Sequence, residues 1–257
     1  MRRVYHVLAL ILLSGCGLGP PEPIQGPPAE GPPSCPEDMV LIPAGEYRLG
    51  RSVTVRPWNS GSEAQAPEGY WALPNPAEIV AVPTFCLDVF EFPNRRGERP
   101  RTLVSWNEAR SLCAVHGKRL PSRIEWQAAA QGTQGHRYSY GPTFEKGRCN
   151  TDSAVGDFDA IVPSGSFPAC RTPLGVYDLN GNVSEWVEDD WSGPWHANDT
   201  WGGPDASPKT LMGGTAWPGD VYGQDSTSRH RHPPGDTWRD DGLRCAKDTA
   251  SSKPRHR

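Results

Sequence analysis

Residues 173–191 read PLGVYDLNGNVSEWVEDDW, a span that crowds turn residues, oxygen donors and large aromatics together. Asp178, Asn180, Gly181 and Asn182 predict a tight polar turn, because glycine and asparagine accept positive φ at little cost. Beyond the turn, Val183, Glu185, Trp186 and Val187 predict a short strand with aromatic packing. Carboxylates, amides and backbone carbonyls gathered on a bent chain are what calcium takes as ligands. An Asx-turn hairpin with solvated acids accounts for the same residues. Both readings fit at this point. An EF-hand does not, because Val183 stands where that loop requires glycine.

Working outward, two helices carry clear start signals. Ser105 to Glu108 reads as a capping box opening a helix, with Trp106, Ala109, Cys113 and His116 on one face and Gly117 closing it. Ser122 to Glu125 is a second capping box, and its helix runs through Ala128 to Ala130 and ends at Gly132. His116 is expected to face the core as a structural histidine. Upstream, residues 39–42 and 46–49 around Pro43-Ala44-Gly45 predict a hairpin, and 79–82 and 85–92 two further strands. Downstream, LMGGTAW at 211–217 predicts a buried strand, 220–241 an irregular polar stretch, and 242–246 the closing strand. Short strands beside two short capped helices indicate an α+β domain.

The composition fits one loop-rich domain. The chain has 257 residues with 36% hydrophobic content and ten tryptophans, enough for a sizeable core, while 28 glycines and 28 prolines limit regular structure. A net charge of -4 gives no reason to expect nucleic-acid binding. Residues 1–15 read as a signal peptide: Arg2 and Arg3 precede an apolar run too short to span a bilayer. Leu13-Ser14-Gly15-Cys16 resembles a bacterial lipobox, so Cys16 is expected to become the acylated first residue, with the lipid bilayer as partner. Residues 16–34 are a Pro/Gly-rich spacer, residues 35–248 the folded domain, and 249–257 a basic tail. Gly17 lacks the aspartate that retains such lipoproteins at the inner membrane, which favours the outer membrane.

The run Gly175-x-Tyr177-Asp178-x-x-Gly181-Asn182-Val183-x-Glu185-Trp186 resembles the signature of the formylglycine-generating enzyme (sulfatase-modifying factor) family. LVSWNEARSLCAVHGKRLPSRIEWQAAAQG at 103–132, LMGGTAW at 211–217 and GLRCA at 242–246 agree in the same order. The resemblance implies a C-type lectin-like fold. It also implies calcium held by the Asp178 and Glu185 carboxylates with the Gly181 and Val183 carbonyls. A second calcium is implied near Asn150, the Thr151 carbonyl and one of Asp157 or Asp159, where solvated loop acids are the alternative.

Without Cys16, six cysteines remain of the seven in the chain, an even number that points to disulfides in an exported domain. Six cysteines permit 15 pairings, so spacing does not choose among them. The resemblance implies Cys113–Cys245, and extension by position gives Cys35–Cys86 and Cys149–Cys170. The family's enzymes hold copper(I) between two thiols, for which soft thiolates are the fitting donors. Matched to the family pattern, the positions of that pair are Pro218 and Gly223. A further family disulfide is absent too, with Ala130 and Ser228 at its positions. No copper is therefore expected.

The equivalent pocket keeps polar groups: Trp217, Asp220, Arg229, His230 and His232. His230 and His232 alternate on an extended segment and could share a metal, but sequence identifies no third ligand beyond His196. A catalytic site normally takes three protein ligands, so the run is read as a solvated loop. The favoured reading is a non-catalytic module, held by calcium and disulfides, that binds an unidentified protein, peptide or small molecule. The alternative is a cysteine-independent enzyme modifying a peptide or small molecule, with Asp220, Arg229 and His230 as its acid–base candidates.

Overall fold

The computed structural model describes residues 33–50, 77–151, 160–191, 207–216 and 225–249. Nine strands and two helices are formed among them, in the order β1 Met39–Ile42, β2 Gly45–Leu49, β3 Glu78–Val82, β4 Phe85–Asp88, α1 Trp106–Val115, α2 Arg123–Gln131, β5 Ser184–Asp190, β6 Lys209–Met212, β7 Arg229–His232, β8 Asp241–Gly242 and β9 Ala246–Asp248. Neither helix is long and apolar enough to cross a membrane.

Both capping boxes form as the sequence predicts. The Ser105 and Ser122 hydroxyls accept from the Glu108 and Glu125 amides, and each glutamate accepts in return from the cap's own N–H. Gly117 follows α1 at φ 64°, a conformation open to glycine at little cost. His116 is a correction. It caps α1 at the exposed end, with its ring 5.7 Å from Phe92, rather than facing the core.

The strands pair differently from the expected hairpin. β1 and β2 do not pair with each other: β1 joins β4 and then β9 in one sheet, while β2 pairs with β3. Pro43 removes an N–H just where a two-stranded ladder would begin, and the chain crosses between sheets there. The 85–92 strand stops at Asp88, and a cis Phe92–Pro93 bond follows. The expected closing strand at 242–246 is split into β8 and β9. The 211–217 strand is shifted, because Gly213 and Gly214 at φ 95° and 74° end β6 at Met212. The polar stretch 229–232, expected to be a solvated loop, is a strand in the four-stranded sheet β7-β6-β5-β8.

Two apolar clusters hold these pieces. Trp126, Leu87, Leu179 and Met212 pack in one, and Trp186, Trp106, Leu211 and Leu243 in the other. Three of the buried indoles also find acceptors: Trp126 Nε1 donates to Glu185 Oε2 at 2.6 Å, Trp186 Nε1 to the Val104 carbonyl and Trp106 Nε1 to the Val187 carbonyl, both at 2.9 Å. Without such partners, burial would cost each indole its bond to water. All three expected disulfides form: Cys35–Cys86, Cys113–Cys245 and Cys149–Cys170. Cys113–Cys245 ties α1 to the segment just before β9 across 132 positions of sequence.

Candidate functional site

The 178–185 turn lies inside the domain and its residues are buried. Asp178, Gly181 and Asn182 take φ values of 58°, 79° and 62°, the left-handed conformations the sequence predicts for this turn. Gly181 is required by space as well. A Cβ there would lie 2.2 Å from the Asn150 carbonyl oxygen. That close approach lets the Asn182 N–H donate to Asn150 O at 2.9 Å and Asn150 Nδ2 donate to Asn182 Oδ1 at 2.8 Å. The two segments implied as calcium sites are thus stitched together. Asn150 and Thr151 are buried beside the turn, while Asp157 and Asp159 lie outside the described residues.

A residue the sequence did not single out joins this network. Glu91 is fully buried and accepts from Asn182 Nδ2 at 3.0 and 2.9 Å and from Ser164 Oγ at 2.6 Å. No local pattern marks it, since it sits between two phenylalanines in a stretch that reads as a strand. Burial, then the Asp178 and Glu185 charges, push its carboxyl well above the usual range. Asp178 accepts from the Gly165 N–H at 2.6 Å, yet burial raises its carboxyl to about 6. Glu185 is clamped from the other side. Arg244 Nε and Nη2 donate to its two oxygens at 2.7 Å each, and Trp126 adds a third bond.

Three buried carboxylates therefore share one buried guanidinium. Fully ionised, they leave two uncompensated negative charges; burial first, and the neighbouring carboxylates second, keep the Glu91 and Asp178 carboxyl groups raised. A divalent cation at Asp178 and Glu185 would balance the charge, and carboxylate and carbonyl oxygens are the donors calcium takes. The same test fails for copper(I). Six cysteines are consumed by the three disulfides, and the seventh is Cys16, outside the described residues. Ala130 and Ser228, which the resemblance matches to the family's further bridge, are both buried.

Of the expected pocket residues, Trp217, Pro218, Asp220 and Gly223 lie outside the described residues, as does His196. β7 separates the others by face. Arg229 and Arg231 stack over the Trp191 ring at 4.6 and 5.3 Å, and burial lowers the Arg229 guanidinium to about 10. His230 and His232 face the other way, with ring centroids 5.1 Å apart. Arg229 and His230 thus do not form one acid–base pair. His232 Nδ1 instead lies 2.7 Å from Asp241 Oδ2, a contact the sequence did not anticipate.

The architecture and the buried, bridge-locked turn define an α+β domain of the C-type lectin-like, formylglycine-generating-enzyme type. PvdO from Pseudomonas aeruginosa has the same fold, with a TM-score of 0.57 at 20% identity over 82% of this chain and 94% of that one. The sulfatase-modifying factor enzyme 1-like domain matches residues 93–249, and the chain belongs to that family. It is 30% identical to the inactive C-alpha-formylglycine-generating enzyme 2 of Mus musculus over 173 residues, covering 61% of this chain and 51% of the relative. It is 32% identical to the formylglycine-generating enzyme of Thermomonospora curvata over 162 residues, covering 57% and 50%. The chain spans about half the length of these two relatives.

Proposed function

We propose that this protein is a membrane-anchored bacterial lipoprotein whose folded domain is a non-catalytic relative of the formylglycine-generating enzymes. The domain, residues 35–248, binds a protein, peptide or small-molecule ligand. The observation that carries this reading is the state of the thiols. Every cysteine beyond Cys16 is in a disulfide, so no thiol in the folded domain is left to hold copper(I) or join a substrate thiol. The similarity to a mammalian protein named as inactive is consistent with it.

The anchor in this reading is Cys16, acylated after cleavage of the signal peptide, with residues 16–34 holding the domain away from an outer-membrane surface. Calcium bound by Asp178 and Glu185, with the Gly181 and Val183 carbonyls, neutralises the buried acidic excess and stiffens the scaffold. A second ion lies at Asn150 and Thr151 with Asp157 or Asp159. The test is intact-mass, non-reducing peptide and metal analysis of the chain purified from membranes. The reading requires an acylated Cys16, three bridges, no free thiol, and calcium without copper. An unmodified N-terminus, a free thiol in the domain or stoichiometric copper would each overturn it.

A further inference from the structure

We infer that His230, His232 and Asp241 form a binding site for a borderline divalent transition metal, with zinc the best match. This goes beyond the non-catalytic reading above and uses none of the residues assigned to calcium. β7 is antiparallel to β6, with Leu211 opposite His230 and Lys209 opposite His232, so the two imidazoles fall on one side of an extended strand. The chain then returns through residues 233–240 to Asp241, which opens β8 beside Ser184 of β5. That parallel pairing brings a carboxylate from nine positions further on against both rings. The donor atoms of the three residues all lie within 4.8 Å of one another.

The Asp241 carboxylate is incomplete as it stands. The residue is fully buried, and its Oδ2 meets His232 Nδ1 at 2.7 Å. Its Oδ1 is buried with no hydrogen-bond partner among the described residues and lies 3.8 Å from His230 Nε2, beyond hydrogen-bonding reach. A buried carboxylate oxygen left in this state asks for a cation. Zinc bound at about 2.0–2.2 Å by nitrogen and oxygen in tetrahedral geometry spaces its donors about 3.3–3.6 Å apart. The observed separations of 2.7 and 3.8 Å fall on either side of that spacing. The two distances go to different carboxylate oxygens, so binding would widen the His232–Oδ2 contact, with the ion replacing the proton between them, and draw the His230 ring closer.

The His232 ring is packed on two sides by indoles. Trp238 stacks on His232 with centroids 5.1 Å apart, and Trp186 meets it edge-on at 6.2 Å. Two imidazoles and one carboxylate suit zinc rather than calcium, which needs six to eight oxygens, or copper(I), which prefers thiolate. Three protein ligands leave a fourth position for water or for a donor atom of a bound ligand.

The test uses the full chain in detergent, stripped of transition metals and kept in excess calcium so that hard-oxygen sites are filled. Zinc is titrated by calorimetry, and cobalt(II) by visible absorption. One zinc per chain is expected, with the intense visible bands of four-coordinate cobalt. His230→Gln, partly exposed and retaining the three bridges, should weaken zinc by at least about 100-fold, beyond the 10–100-fold typical of outer-shell changes. His232→Gln should do the same, and Arg231→Gln, facing Trp191, should not. Absence of stoichiometric zinc, pale six-coordinate cobalt, or affinity unchanged in both histidine variants would overturn the site.

Discussion

Replacing Arg244 with methionine tests the charge balance on which the 178–185 turn depends. In the native protein this guanidinium is completely buried and donates to both Glu185 oxygens at 2.7 Å, to Tyr177 O at 2.8 Å and to Asp88 O at 3.2 Å. The apolar stem of the methionine fills much of the volume, so the loss is electrostatic rather than a cavity. Glu185 would keep only its bond from Trp126, with Glu91 and Asp178 as like-charged neighbours. Removing one partner of a buried ion pair costs about 3–5 kcal/mol, because the other charge is left uncompensated. Arg244→Met should lower the unfolding free energy by that amount in urea titrations with the disulfides intact. Adding Glu185→Gln should recover about 2–3 kcal/mol, the coupling expected for a shared network. Saturating calcium should shrink the deficit, since the ion supplies positive charge at the same carboxylate. A loss below about 1 kcal/mol, or a double variant no more stable than Arg244→Met, would refute the reasoning.

Three further outcomes follow from the same geometry. In chelator, Asp178 binds its proton more tightly folded than unfolded, its carboxyl standing at about 6 instead of 3.8. Stability should therefore fall as pH rises from 4 through 6, by up to about 3 kcal/mol, and calcium should abolish the fall; a rise over that range in chelator would contradict it. Gly181→Ala combines left-handed strain with overlap on Asn150 O and should cost about 3 kcal/mol or more, read by urea titration. Replacing both Cys113 and Cys245 by alanine opens a loop of 132 positions and should cost about 5 kcal/mol, whereas a loss under about 1 kcal/mol would show the bridge to be idle.

What the sequence revealed was local. Both helices were legible because each carries its own capping box, and the turn was legible because Gly181 and Asn182 announce positive φ. The strand partners were not, since β1 pairs with β4 and β5 with β8 across long separations that no periodicity encodes. The same limit hid Glu91 from the turn it completes, and Asp241 from the histidines it meets. Arg229 to His232 has the composition of a solvated loop, but its alternation places two arginines on Trp191 and two imidazoles on the opposite face. Tertiary context overrode propensity there.

The central claim is that this family member has lost the thiol chemistry while keeping the scaffold. Its most direct test is to incubate the purified full chain with copper, oxygen and a cysteine-containing sulfatase-type peptide, then to weigh the peptide for aldehyde. With the domain's six cysteines bridged and the seventh cysteine at position 16, no formylglycine should form. Aldehyde that appears with copper and oxygen, and is absent from anaerobic and metal-free controls, would contradict the account.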